Sequence, residues 1–156
     1  MTTVLKGIKL RLYPNKQQQA QLWQMFGNDR FVWNQMLDMA KQRYQNNPSS
    51  QFVDQYSMDA LLKPLKQEYP FLKRSDSTSL QVVNHNLYQA FQRLFKHLSG
   101  YPRFKSRRSA KQSYTGKSKI QRVANRYVKL PKIGYIKTSK TRQLTHCKIK
   151  RYTVSY

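Results

Sequence analysis

The chain has 156 residues, of which 38% are hydrophobic and 13% aromatic, so it can bury one core or two small ones. Thirty Lys and Arg residues against six Asp and Glu residues give a formal net charge of +24. This imbalance predicts a polyanionic partner, because self-repulsion on that scale destabilises a compact chain unless counter-charges neutralise it. The single Cys147 excludes an internal disulfide and a multi-cysteine zinc site.

The positive charge is concentrated in the second half of the chain. All six acidic residues lie in the first 76 residues, and the last eighty contain nineteen basic residues and no acidic one. Nucleic acid is the polyanion that this distribution favours. A membrane surface is disfavoured, because the basic residues do not follow one face of an amphipathic helix and no apolar run approaches the roughly 20 residues that span a bilayer. The N-terminus lacks a signal-peptide pattern, so we expect a soluble, cytoplasmic protein.

A strand and two helices are predicted first. Residues 8–12 alternate between apolar and polar, which is the period of a strand with one buried face. Asn15 is the predicted N-cap of a helix, and Gln18 completes its capping box. The sequence Gly-Asn-Asp at 27–29 predicts a break, so that a second helix follows over about 30–44.

Two more helices are predicted after a polar loop. The first begins at Ser57, its N-cap, and ends near Pro64. The second has the strongest helical periodicity in the chain, is capped by Asp76 or Ser77 and ends at Gly100.

Short alternating segments rich in Val, Ile, Tyr and Thr follow and predict antiparallel strands. The lone N-terminal strand needs a partner, because a single strand leaves its backbone groups unpaired. We therefore expect an α+β fold, in which a small antiparallel β-barrel is formed by the N-terminal strand and the C-terminal strands, with an inserted bundle of about four helices. The predicted parts are a first strand (1–14), a helical insert (15–99), a basic linker (100–117) and the remaining strands (118–156).

The segment from Gly100 to Lys117, here named the basic loop, is the most informative stretch of the sequence. Six of its eighteen residues are Lys or Arg and none is acidic. Five of these basic side chains are predicted to neutralise phosphates: Arg103, Lys105, Arg107, Arg108 and Lys111. The aromatic residues Tyr101, Phe104 and Tyr114 either pack the loop down or stack on bases. For Phe104 we favour packing in the core.

Other aromatic residues divide between core and surface. Trp23 recurs at helical spacing with apolar residues of the first predicted helix, and Trp33, Met36 and Leu37 share one broad face of the second, so all four are predicted core residues. The strand tyrosines are either barrel packing or a stacking platform for bases: Tyr127, Tyr135, Tyr152 and Tyr156.

The sequence offers no constellation typical of catalysis. A two-metal nuclease site needs several converging carboxylates, and no acidic residue follows Asp76. The three histidines lack the spacing of a zinc-protease motif, and the "GKS" at 116–118 lacks the first glycine of a P-loop, since Lys111 stands there. We expect no catalytic residue, no metal and no cofactor in this chain.

A series of motifs runs along nearly the whole chain: "RLYPN", "RFVWN", "GYPRFKSRR", "QSYT" and "KLPKIG". In this order they resemble the TnpB (OrfB) proteins of bacterial insertion sequences. The resemblance implies a wedge (WED) β-barrel split by a helical recognition (REC) insert, followed in that family by a RuvC-like nuclease domain that would start about where this chain stops. It also implies a structured guide RNA and double-stranded target DNA as partners, in a bacterial or archaeal cytoplasm near the nucleoid.

The resemblance further implies which residues read a short motif beside the DNA target. These are Ser57, Thr78, Gln81, Tyr114 and Thr115. A Gln at a helix N-terminus can bond the N6 and N7 atoms of adenine in the major groove, and hydroxyl groups can bond phosphates. Lys73 and Arg74, just before the last helix, are predicted to bind phosphates.

Three functions stay open at this point. The first is a non-catalytic nucleic-acid-binding module of a TnpB-like RNA-guided DNA endonuclease. The second is a subunit of a split nuclease, whose carboxylates come from a separate RuvC chain. The third is a DNA-binding regulator in which the first two helices form a helix-turn-helix; it is disfavoured, because the second helix carries only Arg30, Lys41 and Arg43, two of them at its far end.

Overall fold

The computed structural model describes residues 2–49 and 54–156, which fold into helices followed by two antiparallel sheets. In chain order the elements are β1 (Leu12–Tyr13), α1 (Lys16–Asn46), α2 (Gln55–Glu68), a 3-10 helix (Pro70–Arg74), α3 (Ser77–Phe95), β2 (Ser113–Gly116), β3 (Gln121–Ala124), β4 (Tyr127–Leu130), β5 (Gly134–Thr138), a second 3-10 helix (Arg142–Leu144) and β6 (Tyr152–Ser155). The α+β class is confirmed. None of the helices in these residues is both long and apolar enough to cross a membrane.

Helix α1 is one continuous helix of 31 residues. Its predicted capping box is confirmed, since Asn15 Oδ1 accepts the Gln18 amide at 2.8 Å and Gln18 Oε1 accepts the Asn15 amide at 3.1 Å. The predicted break at 27–29 is wrong. Asn28 and Asp29 are buried, and the Asn28 amide donates to Phe71 O at 3.2 Å and to the Ser75 hydroxyl at 2.8 Å. Because these tertiary partners engage its side chain, Asn28 does not compete for the helix backbone.

Helix α2 begins earlier and ends later than predicted. Asp54 is its N-cap and accepts the Ser57 amide at 2.9 Å, so the predicted cap at Ser57 is wrong. Pro64 lies inside the helix. Its ring is exposed, while Leu62 and Leu65 on either side are buried and hold both turns of the helix in the core.

Helix α3 has the predicted cap but not the predicted end. Asp76 is the N-cap, as expected. The helix ends at Phe95, five residues before Gly100, because His97 adopts a positive φ of 57°. The Leu98 amide then donates to Arg93 O and the His97 amide to Leu94 O, each at 2.9 Å, which is a Schellman motif with His in the position that Gly usually takes.

The strands form two separate antiparallel sheets. One has the order β1-β5-β4-β3 and the other pairs β2 with β6. The predicted pairing of the N-terminal strand with C-terminal strands is confirmed, with Leu12 opposite Thr138 and Tyr13 opposite Lys137. The expected closed barrel is not formed by the described residues, because β2 and β6 pair with each other and β2 packs on α1 and α3.

Two hydrophobic clusters lie on different parts of α1. The first joins α1, α2 and α3 and includes Trp33, Met36 and Leu37, as predicted. The second joins the N-terminal half of α1 to both sheets. The prediction that Trp23 is a core residue is wrong: its side chain is 42% exposed and lies at the rim, with its ring centroid 4.9 Å from that of Tyr156.

Candidate nucleic-acid interface

The basic loop is held against α1 through its backbone. The Trp33 indole N–H donates to Arg103 O at 2.8 Å. Asn34 binds Lys105 twice, since its Oδ1 accepts the Lys105 amide at 2.8 Å and its Nδ2 donates to Lys105 O at 3.0 Å. These three bonds fix the backbone of the loop on α1. The loop is therefore ordered rather than a solvated, disordered run, and its charged side chains are not needed to hold it in place.

The C-terminal part of the loop is held by the buried side chain of Gln112. Its Nε2 donates to Ser109 O at 2.8 Å, and Arg30 of α1 donates to its Oε1. The Tyr156 amide donates to Gln112 O at 2.9 Å. The loop is therefore attached to α1 at two points and to the last residue of the chain.

An aromatic cradle lies at the N-terminal part of the loop. Lys41 of α1 places its Nζ 4.5 Å from the ring centroid of Phe104 and 5.3 Å from that of Tyr101. Phe104 is 50% exposed, so the prediction that it is a core residue is wrong. Tyr101 packs edge-on against Phe91 at 5.6 Å. Lys41 adds a positive charge that sequence reasoning did not assign to this site, because the two segments are far apart in the chain.

The five predicted phosphate-binding residues of the loop are all exposed: Arg103, Lys105, Arg107, Arg108 and Lys111. Lys105 also places its Nζ 4.2 Å from the ring centroid of Trp33. Burial lowers the pKa of Lys105, and the nearby carboxyl of Asp29 opposes that shift. Lys105 thus helps to attach the loop to α1 and also adds to the positive charge of the loop.

The positive surface continues from the loop onto α1. Burial, and after it the charge of Arg107, lower the pKa of Arg30 below its ordinary value. A guanidinium remains protonated under such a shift. The charge of Arg107 acts on Arg30, so two like charges lie near each other, which favours a bound anion.

The N-terminus of α3 is built around Asp76. Its Oδ1 accepts the Thr78 amide at 3.0 Å and the Ser118 hydroxyl at 2.6 Å, and its Oδ2 accepts the Tyr152 hydroxyl at 2.7 Å. Burial acts to raise the pKa of Asp76, but the hydrogen bonds from Ser118, Tyr152 and Thr78 outweigh it, so the pKa is lowered. Asp76 is therefore ionised at neutral pH and joins α3 to the end of the β2–β6 pair at which Gly116 lies opposite Tyr152.

Thr78 and Gln81 differ in what they are free to contact. The Thr78 hydroxyl oxygen accepts the backbone amides of Lys117 at 2.9 Å and Ser118 at 3.1 Å, so it joins the end of the basic loop to α3. Gln81, one turn further along, is exposed. Of the two predicted motif-reading residues on this helix, Gln81 has the exposed position.

Of the other three predicted motif-reading residues, Tyr114 and Thr115 are neighbours on β2, whereas Ser57 lies on α2. Tyr114 is buried at 2% exposure, and its phenolic oxygen has no hydrogen-bond partner among the described residues. The structure therefore places Tyr114 in the core, where its ring meets Phe26. Thr115 lies opposite Thr153, and their hydroxyl oxygens are 2.8 Å apart. Ser57 is exposed in the first turn of α2.

Further basic residues gather near the start of α3. Lys73 and Arg74 are exposed at the end of the 3-10 helix, two residues before Asp76. The Lys66 ammonium donates to the Ser77 hydroxyl at 3.1 Å, and its pKa is lowered by burial first and then by the charge of Lys132. The name α3 patch is used below for this group: Lys66, Lys73, Arg74, Gln81, Lys117 and Lys132. The sequence did not predict that Lys66 and Lys132 belong to this site, because only the fold brings the β4–β5 turn close to α2.

No group of three His, Cys, Asp or Glu side chains that could hold a metal ion occurs within 2–49 and 54–156.

The family comparison concerns the first third of the chain. Residues 1–48 match the family model HTH_OrfB_IS605, which is described as a helix-turn-helix domain. In the described part of this match, residues 2–48, the structure has β1 followed by the single helix α1, without a turn inside that helix.

Two curated relatives extend the similarity along the chain. One, named as a candidate RNA-guided DNA endonuclease, InsQ, of Escherichia coli (strain K12), is 30% identical over 154 residues, which are 97% of this chain and 37% of that protein. Another, named as a candidate RNA-guided DNA endonuclease of Streptomyces pristinaespiralis, is 32% identical over 115 residues, which are 72% of this chain and 28% of that protein. The chain thus spans well under half the length of these relatives. It belongs to the TnpB (OrfB) family of insertion-sequence proteins.

Proposed function

We propose that this chain is the non-catalytic nucleic-acid-binding module of a TnpB-like RNA-guided DNA endonuclease, which binds a structured guide RNA and recognises a short motif in double-stranded DNA. The observation that carries the proposal is the basic loop, whose backbone is fixed on α1 by Trp33 and Asn34 while its six Lys and Arg residues stay exposed. The names of the relatives in Escherichia coli and Streptomyces pristinaespiralis supply the expectation of RNA and DNA as partners.

The fixed backbone of the loop supports binding to phosphates. A loop that is already ordered loses less conformational entropy when it binds, so more of the electrostatic attraction appears as affinity. Arg103, Arg107 and Arg108 contact the sugar-phosphate backbone in this proposal and carry no sequence information themselves. The loop therefore supplies affinity for RNA or DNA of any sequence.

The α3 patch supports recognition of a DNA motif. Gln81 is exposed in the second turn of α3. In the proposed complex this end of α3 enters the major groove, Gln81 bonds adenine N6 and N7, and Lys73 and Arg74 bind flanking phosphates. Thr78 holds the helix to the end of the basic loop, so the part that reads the motif is connected to the part that supplies general affinity.

Cleavage is assigned to carboxylates outside these 156 residues. In RNA-guided effectors, the protein reads a short motif and the guide RNA reads the remaining sequence by base pairing. The module proposed here performs the first of these tasks and holds the RNA for the second. A separate nuclease chain that co-purifies with this one would favour the split-nuclease alternative.

The proposal is tested by selecting duplexes from a library with a randomised segment next to a fixed target, in the presence of RNA that co-purifies with the chain. The parent should enrich a short motif. Gln81→Ala should lose that enrichment while keeping its affinity for unselected duplex, and the triple variant Arg103→Ala, Arg107→Ala, Arg108→Ala should lose affinity for all sequences alike. The proposal fails if both variants select and bind like the parent.

A further inference from the structure

The outward face of the four-stranded sheet carries alternating tyrosines and lysines. Residues that lie opposite each other on neighbouring antiparallel strands project from the same face. Tyr13 of β1 lies opposite Lys137 of β5, and Lys137 lies opposite Tyr127 of β4. One step along, Tyr135 of β5 lies opposite Lys129 of β4. The register thus places three tyrosines and two lysines on one face, here named the Tyr/Lys face.

The tyrosines of this face are not core residues. Tyr13 is 49% exposed, Tyr127 43% and Tyr135 59%. The opposite face of the same strands is buried, with Val128, Leu130 and Ile136 in the hydrophobic cluster under the sheet. Of the two interpretations that the sequence leaves open, packing inside a barrel is therefore wrong for Tyr127 and Tyr135, while Tyr152 is buried.

Cations lie directly beside the exposed rings. Lys129 places its Nζ 5.7 Å from the ring centroid of Tyr135, and the guanidinium of Arg11 lies 5.7 Å from the ring centroid of Tyr13. No acidic residue occurs anywhere in β1, β4 or β5. The face therefore offers flat aromatic surfaces within a field of one sign.

A cleft of about 350 Å³ adjoins the face at the end of β5. Its lining combines the Tyr13 ring with three basic side chains and two hydroxyl-bearing residues: Tyr13, Arg126, Lys137, Thr138, Ser139 and Lys140. Backbone bonds fix its walls, since the Thr138 amide donates to Arg126 O at 2.7 Å and the Ser139 amide donates to Arg11 O at 2.8 Å. An aromatic ring beside several cations is the chemistry that receives a base together with its phosphate.

We propose that the Tyr/Lys face and this cleft bind unpaired nucleotides of a single-stranded nucleic acid. The bases stack on Tyr13, Tyr127 and Tyr135, and the phosphates between them contact Lys129 and Lys137. Neighbouring strands lie about 4.8 Å apart, so the rings of Tyr13 and Tyr127, two strands apart, are separated by roughly 10 Å and each receives its own base. Sheets with exposed aromatics bind two or three unstacked bases in this way, whereas a duplex keeps its bases inside the stack.

This surface goes beyond the function proposed above. The basic loop and the α3 patch offer phosphate contacts and one motif-reading side chain, which suit a duplex or a folded RNA. The Tyr/Lys face requires bases that have left a helix, and it needs neither a DNA motif nor a particular RNA sequence. The two proposals can therefore fail separately.

The test uses a short fluorescent oligouridine, an abasic strand of the same length and a duplex DNA, each titrated at one salt concentration. The parent should bind oligouridine at least ~10-fold more tightly than the abasic strand, since the phosphates are the same and only the bases differ. The triple variant Tyr13→Ala, Tyr127→Ala, Tyr135→Ala should remove that difference and leave duplex binding unchanged. The matched Tyr→Phe triple variant, which keeps all three rings, should bind like the parent.

Three results would overturn the proposal. The first is equal affinity of the parent for the two single strands, and the second is an Ala triple variant that keeps the difference. The third is a parent that sediments as a dimer and becomes monomeric in the Ala variant without any change in single-strand affinity, because the face would then bind a second copy of the chain. The triple Arg variant of the basic loop separates the two proposals, since it should weaken duplex binding while the oligouridine-to-abasic ratio stays.

Discussion

The Tyr152 hydroxyl donates a hydrogen bond to Asp76 Oδ2 at 2.7 Å, which connects the last strand of the chain to the N-cap of α3 across 76 residues of sequence. The approach depends on Gly116, which lies opposite Tyr152 in the β2–β6 pair. A Cβ at Gly116 would lie 2.5 Å from the Cζ and hydroxyl oxygen of Tyr152. The carboxylate that starts α3 and the strands that carry the end of the basic loop therefore form one unit.

Substitutions at this contact should act on stability in a graded way. Tyr152→Phe keeps the ring and loses one hydrogen bond to an ionised carboxylate, which should lower the free energy of unfolding by about 1.5–3 kcal/mol. Asp76→Ala loses the helix cap and leaves the Ser118 and Tyr152 hydroxyls unpaired, so it should cost about 2–4 kcal/mol. Urea denaturation of both variants measures the difference. If both variants lost the same free energy of unfolding, the link from Tyr152 to Asp76 would account for the whole effect, and the helix cap would contribute nothing to stability.

The buried carboxyl of Asp29 should make stability depend on pH. Burial raises the pKa of Asp29 well above its ordinary 3.8, and the bond from Ser79 and the charge of Lys105 only partly oppose this. The folded chain therefore holds the proton more tightly than the unfolded chain, and stability falls as pH rises from 3.8 through the folded pKa. Asp29→Asn should be more stable than the parent at pH 7, with a difference that shrinks toward pH 4 in thermal unfolding.

Asp76 provides the matched control for that experiment, because its pKa is shifted down, whereas that of Asp29 is shifted up. Ionised Asp76 stabilises the fold at pH values above the pKa that Asp76 has in the unfolded chain. That stabilisation is lost as the pH falls through the pKa that Asp76 has in the folded chain. Asp76→Asn should thus be less stable than the parent at pH 7, and its deficit should narrow in acid. A pH-independent difference for Asp29→Asn would contradict the assignment of a raised pKa to Asp29.

Gly27 tests the continuity of α1. The residue lies inside the helix, and a Cβ added there meets nothing closer than Arg30 Nη2 at 3.5 Å. Gly27→Ala should therefore stabilise the chain by about 0.5–1 kcal/mol, because Ala loses less backbone freedom in a helix. A turn at this position, as in a helix-turn-helix, would make the same substitution neutral or destabilising. Chemical denaturation distinguishes these outcomes.

Asn34 separates order in the basic loop from its charge. Asn34→Ala removes both bonds to the Lys105 backbone and leaves every cation in place. The Lys105 amide should then exchange with solvent faster, and affinity for duplex DNA should fall several-fold with an unchanged salt slope. The Arg103, Arg107, Arg108 triple Ala variant should instead reduce the slope of log K against log salt by roughly 0.9 for each phosphate that the variant no longer neutralises. If Asn34→Ala reduced the salt slope as much as the triple Ala variant does, the order of the loop would not contribute to affinity separately from its charge.

Local signals in the sequence predicted the elements whose stabilising contacts are close in the chain. The Asn15–Gln18 capping box and the Asp76 cap are confirmed because each involves residues within one helical turn. The break at 27–29 was wrong because Asn28 finds its partners 43 and 47 residues away, in Phe71 and Ser75. No short-range pattern contains that information.

The site shows the same division between local and distant contacts. The exposed cations of the basic loop follow from composition alone. The positions of Lys41, Lys66 and Lys132, and the contact of Lys105 with the Trp33 ring, depend on how the loop and the β4–β5 turn pack on the helices. Tyr114 was assigned to a surface role by resemblance, yet its strand neighbours place it in the core, where its ring meets Phe26. The Tyr/Lys face likewise required the strand register to be known.

The most direct test of the central claim is to purify the chain from its host without nuclease treatment and to sequence the RNA that remains bound after a wash of increasing salt. The proposed function predicts one strongly enriched, structured RNA from the end of an insertion element, and its loss from the triple Arg variant. Random cellular RNA in proportion to abundance, retained equally by parent and variant, would contradict a guide-binding role for this chain.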